Sequence, residues 1–416
     1  MKYDHIAAPD TFIGAYMALM NEQETATDYD FWAALWLLSC ALGRNVTVDR
    51  PRAPVYMNLY TILVANSGIT RKSAEIGMAR SIASALYADD PMIELVEGKT
   101  VPESLEKLLH ERSNITGSAC VSFAVSELAT VLGTERYNAA MPVLLTDLYD
   151  CPKERRAGGT ISRGAITQTN VWVNFISAST PAWLFRAVNP DVIEGGFTSR
   201  CIFVTAEQPK RRIAWSSSSS VCDTKPIIDR LRIIRAQGCN YRTITINETA
   251  LKEFRRWYDK RRPSLDSFRS SFESREDAHV LRLAAFLCVN DGTWIIQLKH
   301  LKAAIKLIET VKLNAASLFQ DSDSNTKYVI AIERIKATLI KAGLEPVTRS
   351  VLYLKVRGKL DTHEFTALLD VMRELQIVQR VETQTLGAGR PAELIRGTKL
   401  LTSKSMISDV INAVGP

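Results

Sequence analysis

The segment that most constrains this chain runs from Leu59 to Tyr87. It opens with a continuous apolar run, Leu59-Tyr60-Thr61-Ile62-Leu63-Val64, and passes through Ala65-Asn66-Ser67-Gly68-Ile69-Thr70-Arg71. It then enters a helix-forming stretch that begins at Lys72-Ser73. An apolar run without polar alternation is the pattern of a strand buried on both faces, as in a parallel sheet. A polar, glycine-containing loop between such a strand and a helix is where backbone N–H groups curl around phosphate oxygens. The helix start adds the positive end of its dipole. Lys72 supplies a cation for the terminal phosphates, and Ser73 a hydroxyl for a Mg2+ ion. The candidate ATP-binding residues are therefore Asn66, Ser67, Gly68, Ile69, Thr70, Arg71, Lys72, Ser73 and Ala74. The loop departs from the general pattern in two places: the first consensus glycine is missing, and Arg71 stands where glycine precedes the lysine. Out of context the fragment reads equally well as a basic helix start; the strand before it and the helix after it favour phosphate binding.

A second apolar run, Cys120-Val121-Ser122-Phe123-Ala124-Val125, ends in Ser126-Glu127. A carboxylate at the end of a neighbouring strand is placed to polarise an attacking water, and Glu127 is the candidate base. Ser126 occupies the position where an aspartate commonly holds the metal through water. Alone, the pattern is also that of a solvated strand end. Further strands are expected at Val171 to Ile176 and Cys201 to Thr205, with helices between them. That alternation predicts an α/β fold: a P-loop NTPase core with a mostly parallel sheet. Helical periodicity at Ala33, Ala34, Leu37, Leu38, Ala41 and Leu42 predicts a helical N-terminal segment over residues 1–50, with the ATPase core over 51–215. Five consecutive serines after Trp215 read as a linker. Helical stretches near 248–262, 273–289 and 297–319 read as a lid, completing a linker-and-lid region at 216–320. Asp321 to Asn325 reads as a second linker.

The last quarter reads as its own module, residues 325–400, followed by a tail at 401–416. Helices are expected at Tyr328 to Ala342, at Arg349 to Val356 behind a Thr348 cap, and from Asp361 or Thr362 to Leu375. A strand follows at Ile377 to Glu382, then a Gly387-Ala388-Gly389-Arg390-Pro391 turn and a return strand at Ala392 to Ile395. Three helices and a β-hairpin in this order define a winged helix, in which the third helix enters the major groove. Lys359, His363, Thr366, Arg373, Arg380 and Arg390 are the candidate DNA contacts. A winged helix also serves as a protein–protein module. Charge tilts the choice towards DNA: the chain carries a net +7, and residues 325–416 hold 14 Lys and Arg against 9 Asp and Glu.

Composition excludes several classes. Hydrophobic residues make up 46% and charged residues 23% of 416, the balance of a soluble globular protein. No apolar run is long enough to cross a bilayer; Phe31 to Leu42 comes nearest. The start, MKYDHIAAPD, has no apolar signal core, so a cytoplasmic location is expected. Seven cysteines lie dispersed without CxxC pairs, which argues against a disulfide framework or a zinc site.

Taken in order, these segments resemble ring-forming helicase ATPases of the MCM and AAA+ kind. They look most like the P-loop family carried by phages, plasmids and genomic islands, whose SGxxRKS-type loop Ser67-Gly68-Ile69-Thr70-Arg71-Lys72-Ser73 matches. The resemblance spans about residues 10 to 320. It implies that Thr180, after the Val171 to Ile176 strand, is the sensor 1 that positions the lytic water. It implies that Arg200, in Gly196-Phe197-Thr198-Ser199-Arg200-Cys201-Ile202-Phe203-Val204, is an arginine finger acting on a neighbour's ATP. It further implies that Arg275 and Arg282 belong to a sensor 2 helix closing over ATP. As plain sequence, Arg200 also reads as a surface arginine at a strand start, and the other two as solvated helix faces. Asp147, Asp150, Arg155 and Arg156 read either as a DNA-facing loop or as ordinary loop charges. The implied protein is a DNA helicase or translocase of a mobile element, a homo-oligomer closing as a hexameric ring, with primase or other replication proteins as partners. Two other readings stand beside it: a non-unwinding DNA-binding ATPase such as a replication initiator or loader, and a DNA-binding regulator with a structural nucleotide site.

Overall fold

The computed structural model describes residues 3, 5–51, 53–88, 92–133, 140–157, 166–187, 196–214, 223–240, 242–261, 271–343, 345–381, 393–402, 406 and 410. These fall into two compact units, Met1–Ala316 and Ser317–Pro416.

The first unit opens with helix α1, Phe12–Leu19, whose Thr11 cap accepts from the Gly14 N–H, and helix α2, Thr27–Leu42. From Tyr29 to Leu42 every residue of α2 is buried. A helix apolar all round can only sit inside the fold, and α2 is the internal support of this unit. Strands β1 (Thr47–Val48) and β2 (Val55–Tyr56) follow, then β3, Tyr60–Val64, buried at every position. Helix α3, Lys72–Tyr87, leads to β4 (Glu94–Val96), helix α4 (Pro102–Thr116) and β5 (Cys120–Val125). Pro102 opens α4, and Gly117 closes it in the left-handed conformation. After the short α5 (Ala129–Leu132) and α6 (Met141–Tyr149), strands β6 (Glu154–Ala157) and β7 (Ile166–Thr169) pair antiparallel. Then come β8 (Trp172–Ser179), α7 (Pro181–Ala187) and β9 (Cys201–Thr205).

The principal sheet has the order β4-β5-β8-β3-β9, every pairing parallel. Strand β3 therefore lies between β8 and β9, the two strands that come last in sequence, with Val64 level with Ser179 and Thr205. In open parallel sheets the crevice outside the carboxyl ends of the strands, where strand order switches, is the ligand position. The loop after Val64 opens there. This is the P-loop NTPase core that the apolar runs predicted.

The rest of the unit comprises α8 (Lys225–Gly238), β10 (Thr243–Ile246), α9 (Glu248–Lys260), α10 (Glu276–Asn290), β11 (Ile295–Ile296) and the start of α11 (Leu298–Ala342). β10 joins β1, β2 and β11 in a small second sheet. The break expected at Asp321 to Asn325 is not a loop, because α11 runs through it. Asp, Ser and Asn are weak helix formers rather than breakers, and the segment contains neither Gly nor Pro. The serine run at 216–220 lies outside the described residues.

In the second unit, β12 (Val347–Thr348) precedes α12 (Arg349–Val356), α13 (Thr362–Glu374), β13 (Val378–Val381) and β14 (Leu394–Gly397). The Thr348 hydroxyl accepts from the Val351 N–H. Asp361 and Glu364 form a capping box at the start of α13. Phe365, Leu368, Leu369 and Met372 are the buried face of α13, and the sheet order is β12-β14-β13. These are the helices and hairpin of a winged helix. The Gly387–Pro391 wing turn and Arg390 lie outside the described residues.

Candidate nucleotide site

The loop between β3 and α3 takes the backbone shape its sequence only partly announced. Gly68 has φ 79°, and Arg71 has φ 50° with ψ 37°, both left-handed. The position before the lysine thus requires the conformation that glycine adopts freely and arginine adopts at a cost of about 1 kcal/mol. Arg71 then starts the helix: its carbonyl accepts from Ala74 N at 2.9 Å and Glu75 N at 3.3 Å. Lys72 turns its Nζ back over the loop, donating to the carbonyls of Ala65 at 2.7 Å and Asn66 at 3.2 Å. Partial burial lowers its pKa below the usual lysine range. Asn66, Ser67, Gly68, Ile69, Ser73 and Ala74 are exposed, whereas Thr70 is buried beneath the loop near the Tyr29 hydroxyl.

Behind the helix start lies a buried polar cluster. The Tyr16 hydroxyl donates to Glu75 at 2.7 Å, and Lys210 Nζ lies 2.5 Å from Asp30. Burial, with Asp30 alongside, raises the Glu75 carboxyl well above the usual range. The shift favours the neutral carboxyl in the first turn of α3, where a negative charge would compete with a phosphate.

The other carboxyl-end residues converge on the same edge. Thr180 follows Ser179 directly, and Ala65 N donates to the Ser179 carbonyl at 3.4 Å. The Thr180 hydroxyl accepts from Trp183 N at 3.3 Å, so it also caps α7. Glu127 is exposed two residues beyond β5, held there by Leu128 N donating to the Ala178 carbonyl at 2.7 Å. Lys72, Ser73, Thr180 and Glu127 therefore share one edge of the sheet. A Mg2+ ion fits this donor set only in company with a nucleotide. Exposed Ser73 and Glu127 offer oxygens, Ser126 offers no charge, and the remaining ligands would be phosphate and water.

Arg200 and Arg275 lie at the opposite edge. Arg200 precedes β9, and its guanidinium donates to the Gly196 carbonyl at 2.9 Å and to Asp150 at 3.1 Å. It is only 8% exposed. Arg275 grips the same Asp150 carboxylate at 2.8 and 3.2 Å. Tyr149 packs edge-on against Tyr60 at the start of β3 and accepts from Arg282 at 2.6 Å. The length of β3, about 16 Å at 3.3 Å per residue, separates this cluster from the loop after Val64. Arg275 thus lies away from the loop after Val64 in its own chain: α10 begins beside Asp150, which pairs with the guanidinium. The sequence reads Asp150 as part of a DNA-facing loop or as an ordinary loop charge, not as the partner of Arg200 and Arg275, and gives no role to Glu24, which pairs with Arg71 at 3.0 Å. Their partners are too distant in the chain to show in a local motif.

In the second unit, Lys359, His363 and Arg380 are exposed. Thr366 is engaged within the fold, accepting from Arg349 and donating to the Thr362 carbonyl. Arg373 pairs within the fold, with Asp370 at 2.9 Å and with Glu393. Exposed Lys355 and Arg357, overlooked in the sequence, join Lys359 and His363 around the turn between α12 and α13.

Fold and site together define an α/β P-loop nucleoside-triphosphatase fold with a C-terminal winged helix. No protein-family model matches the chain, and no curated protein is significantly similar to it. Among solved structures it is similar to the Aeropyrum pernix ORC2 protein in two forms. The ADPNP–ADP complexes show 13% identity over 86% of this chain and 88% of that one, with a TM-score of 0.25. The ADP form shows 13% identity over 92% of each chain, again with a TM-score of 0.25. So loose a likeness carries no functional argument, and the helicase resemblance rests on motif order alone. No helix among the described residues is long and apolar enough to cross a membrane.

Proposed function

We propose that this protein is an ATP-hydrolysing, DNA-binding switch of the initiator or loader kind. The observation that carries the reading is the convergence, at the carboxyl edge of the sheet, of the left-handed loop, Lys72, Ser73, Glu127 and Thr180. Lys72 and Ser73 hold the phosphates and their Mg2+, Glu127 polarises water, and Thr180 orients it. Exposed Lys355, Arg357, Lys359 and His363 in the winged helix bind the DNA backbone at the start of α13.

A switch suits the site better than a motor. Ser126 supplies no second carboxylate, and Arg200 and Arg275 are held by Asp150. These features favour slow turnover between two states. Unwinding by a ring is the second reading, favoured by the place of Arg200: it can meet only the nucleotide of another copy. A strand-displacement assay separates the two, since a switch hydrolyses ATP with DNA present but displaces no strand.

The nucleotide site is tested by Lys72→Ala in the full chain. Removing the cation should abolish hydrolysis and weaken ATP binding, measured by isothermal titration. Wild-type affinity and turnover in that variant would remove the loop from the site.

A further inference from the structure

The left-handed position before Lys72 carries an arginine, and its guanidinium must go somewhere. It goes to Glu24, in the connection between α1 and α2: Arg71 Nε donates to one carboxylate oxygen at 3.0 Å. The other oxygen accepts the backbone N–H of Ile213 at 2.8 Å. Ile213 lies on the strap that leaves β9, and that strap is itself fixed: Lys210 N donates to the Thr25 carbonyl at 3.0 Å. Glu24 is therefore clamped on two sides, and both contacts hold its carboxyl ionised, below the usual range. The Arg71 side chain is 59% exposed, so the pair adds little to stability. What the contact fixes is direction.

Direction matters because a guanidinium is a bidentate phosphate ligand. Left loose beside Lys72, Arg71 would grip the phosphates of ADP and ATP alike and hold the product. We propose that Glu24 is a positioning residue of the nucleotide site: it draws Arg71 towards the α1–α2 connection and leaves Lys72 as the cation that meets the phosphates. The proposal rests on the phosphate-loop reading above.

A double-mutant cycle tests it, with fluorescent mant-ADP and Mg2+ titrated into the full-length protein. Glu24→Gln releases the guanidinium and removes a nearby negative charge, so mant-ADP should bind about five-fold tighter, with a gain that shrinks as salt rises. Arg71→Gly, which removes the guanidinium and relaxes the left-handed backbone, is the reference for the second arm of the cycle. Adding Glu24→Gln to Arg71→Gly should then change little, because the residue through which Glu24 acts is gone. Glu24→Asp keeps the charge on a shorter arm and should give a smaller gain in the same direction, which serves if the Gln variant misfolds. Weaker or unchanged binding in the Glu24 variants would overturn the proposal. So would an equal effect of Glu24→Gln with and without Arg71, since that would assign Glu24 to the Ile213 strap alone. Failure of the underlying reading would show separately, as undiminished mant-ADP binding by Lys72→Ala.

Discussion

At the scale of single residues, the loop after β3 is shaped by groups that lie outside it. Glu75 is the clearest case. Its side chain is fully buried one turn into α3, under the Tyr16 hydroxyl and beside Asp30. An acid whose folded pKa is raised keeps its proton in the folded state after the unfolded chain has released it. Its contribution is therefore present below the ordinary carboxyl pKa and is lost as pH rises from there through the folded value. Glu75→Gln keeps the Tyr16 hydrogen bond and abolishes the titration. We expect it to raise Tm by about 2–4 °C at pH 8 and to flatten the decline of Tm between pH 5 and pH 8; calorimetry across that range checks both. A Tm lower than wild type at pH 8 would show that Glu75 is needed as an anion. Lys72, Ser73 and Glu127 could be proposed from the sequence because their residue types stand within a few positions of a strand end. The pairings of Glu24 and Asp150 could not be: Arg71 lies 47 positions from Glu24, and Arg200 and Arg275 lie 50 and 125 positions from Asp150.

At the scale of elements, legibility followed burial. β3, β5 and β9 are buried at nearly every position, so their apolar runs marked them almost to the residue. β6 and β7 pair as a hairpin built from Glu-Arg-Arg-Ala and Ile-Thr-Gln-Thr, which carries no apolar signal. β2 and β11 have two residues each, too few for any period. Helix α8 went unread because it follows the serine run and buries only Ile227, Leu231 and Gly238. In the winged helix the α12 bounds and the cap of α13 were legible, but the fate of each charge was not. Arg373 is neutralised by Glu393 and Asp370, while Lys355 and Arg357 remain exposed beside Lys359. The DNA interface is therefore predicted at the α12–α13 turn rather than along α13, whose exposed Asp370 and Glu374 would repel phosphate. Replacing Lys355, Arg357 and Lys359 by Gln should weaken binding to unrelated duplexes alike. It should also reduce the slope of log affinity against log salt by roughly one per lost contact. Fluorescence anisotropy at several salt concentrations measures both; an unchanged slope would make the winged helix a protein-binding module.

At the scale of the whole molecule, the sheet itself separates the residues proposed to act in catalysis. The phosphate loop opens at the carboxyl end of β3, and Arg200 stands before β9 at the other end, about 16 Å of strand away. Within one chain, Arg200 stands too far from the loop before Lys72 to reach a nucleotide bound there. If it stabilises the charge developing on ATP, it does so for another copy, and the copies must meet head to tail. Asp150 then sets a condition on that meeting, because it holds Arg200 and Arg275 together until a phosphate competes for them. The Arg200→Ala protein should bind ATP through its intact loop yet hydrolyse it slower by roughly three orders of magnitude. Lys72→Ala should be inactive for the opposite reason, with its arginine intact and its loop disabled. Mixed, the two restore some contacts in which an intact loop faces an intact Arg200, so part of the activity should return as the proportions approach equality. Steady-state ATPase measured across mixing ratios, with subunit exchange followed by energy transfer between labelled copies, reads the result directly. A mixture that exchanges subunits and stays as inactive as its components would confine Arg200 to bridging Asp150 and the Gly196 carbonyl inside its own chain.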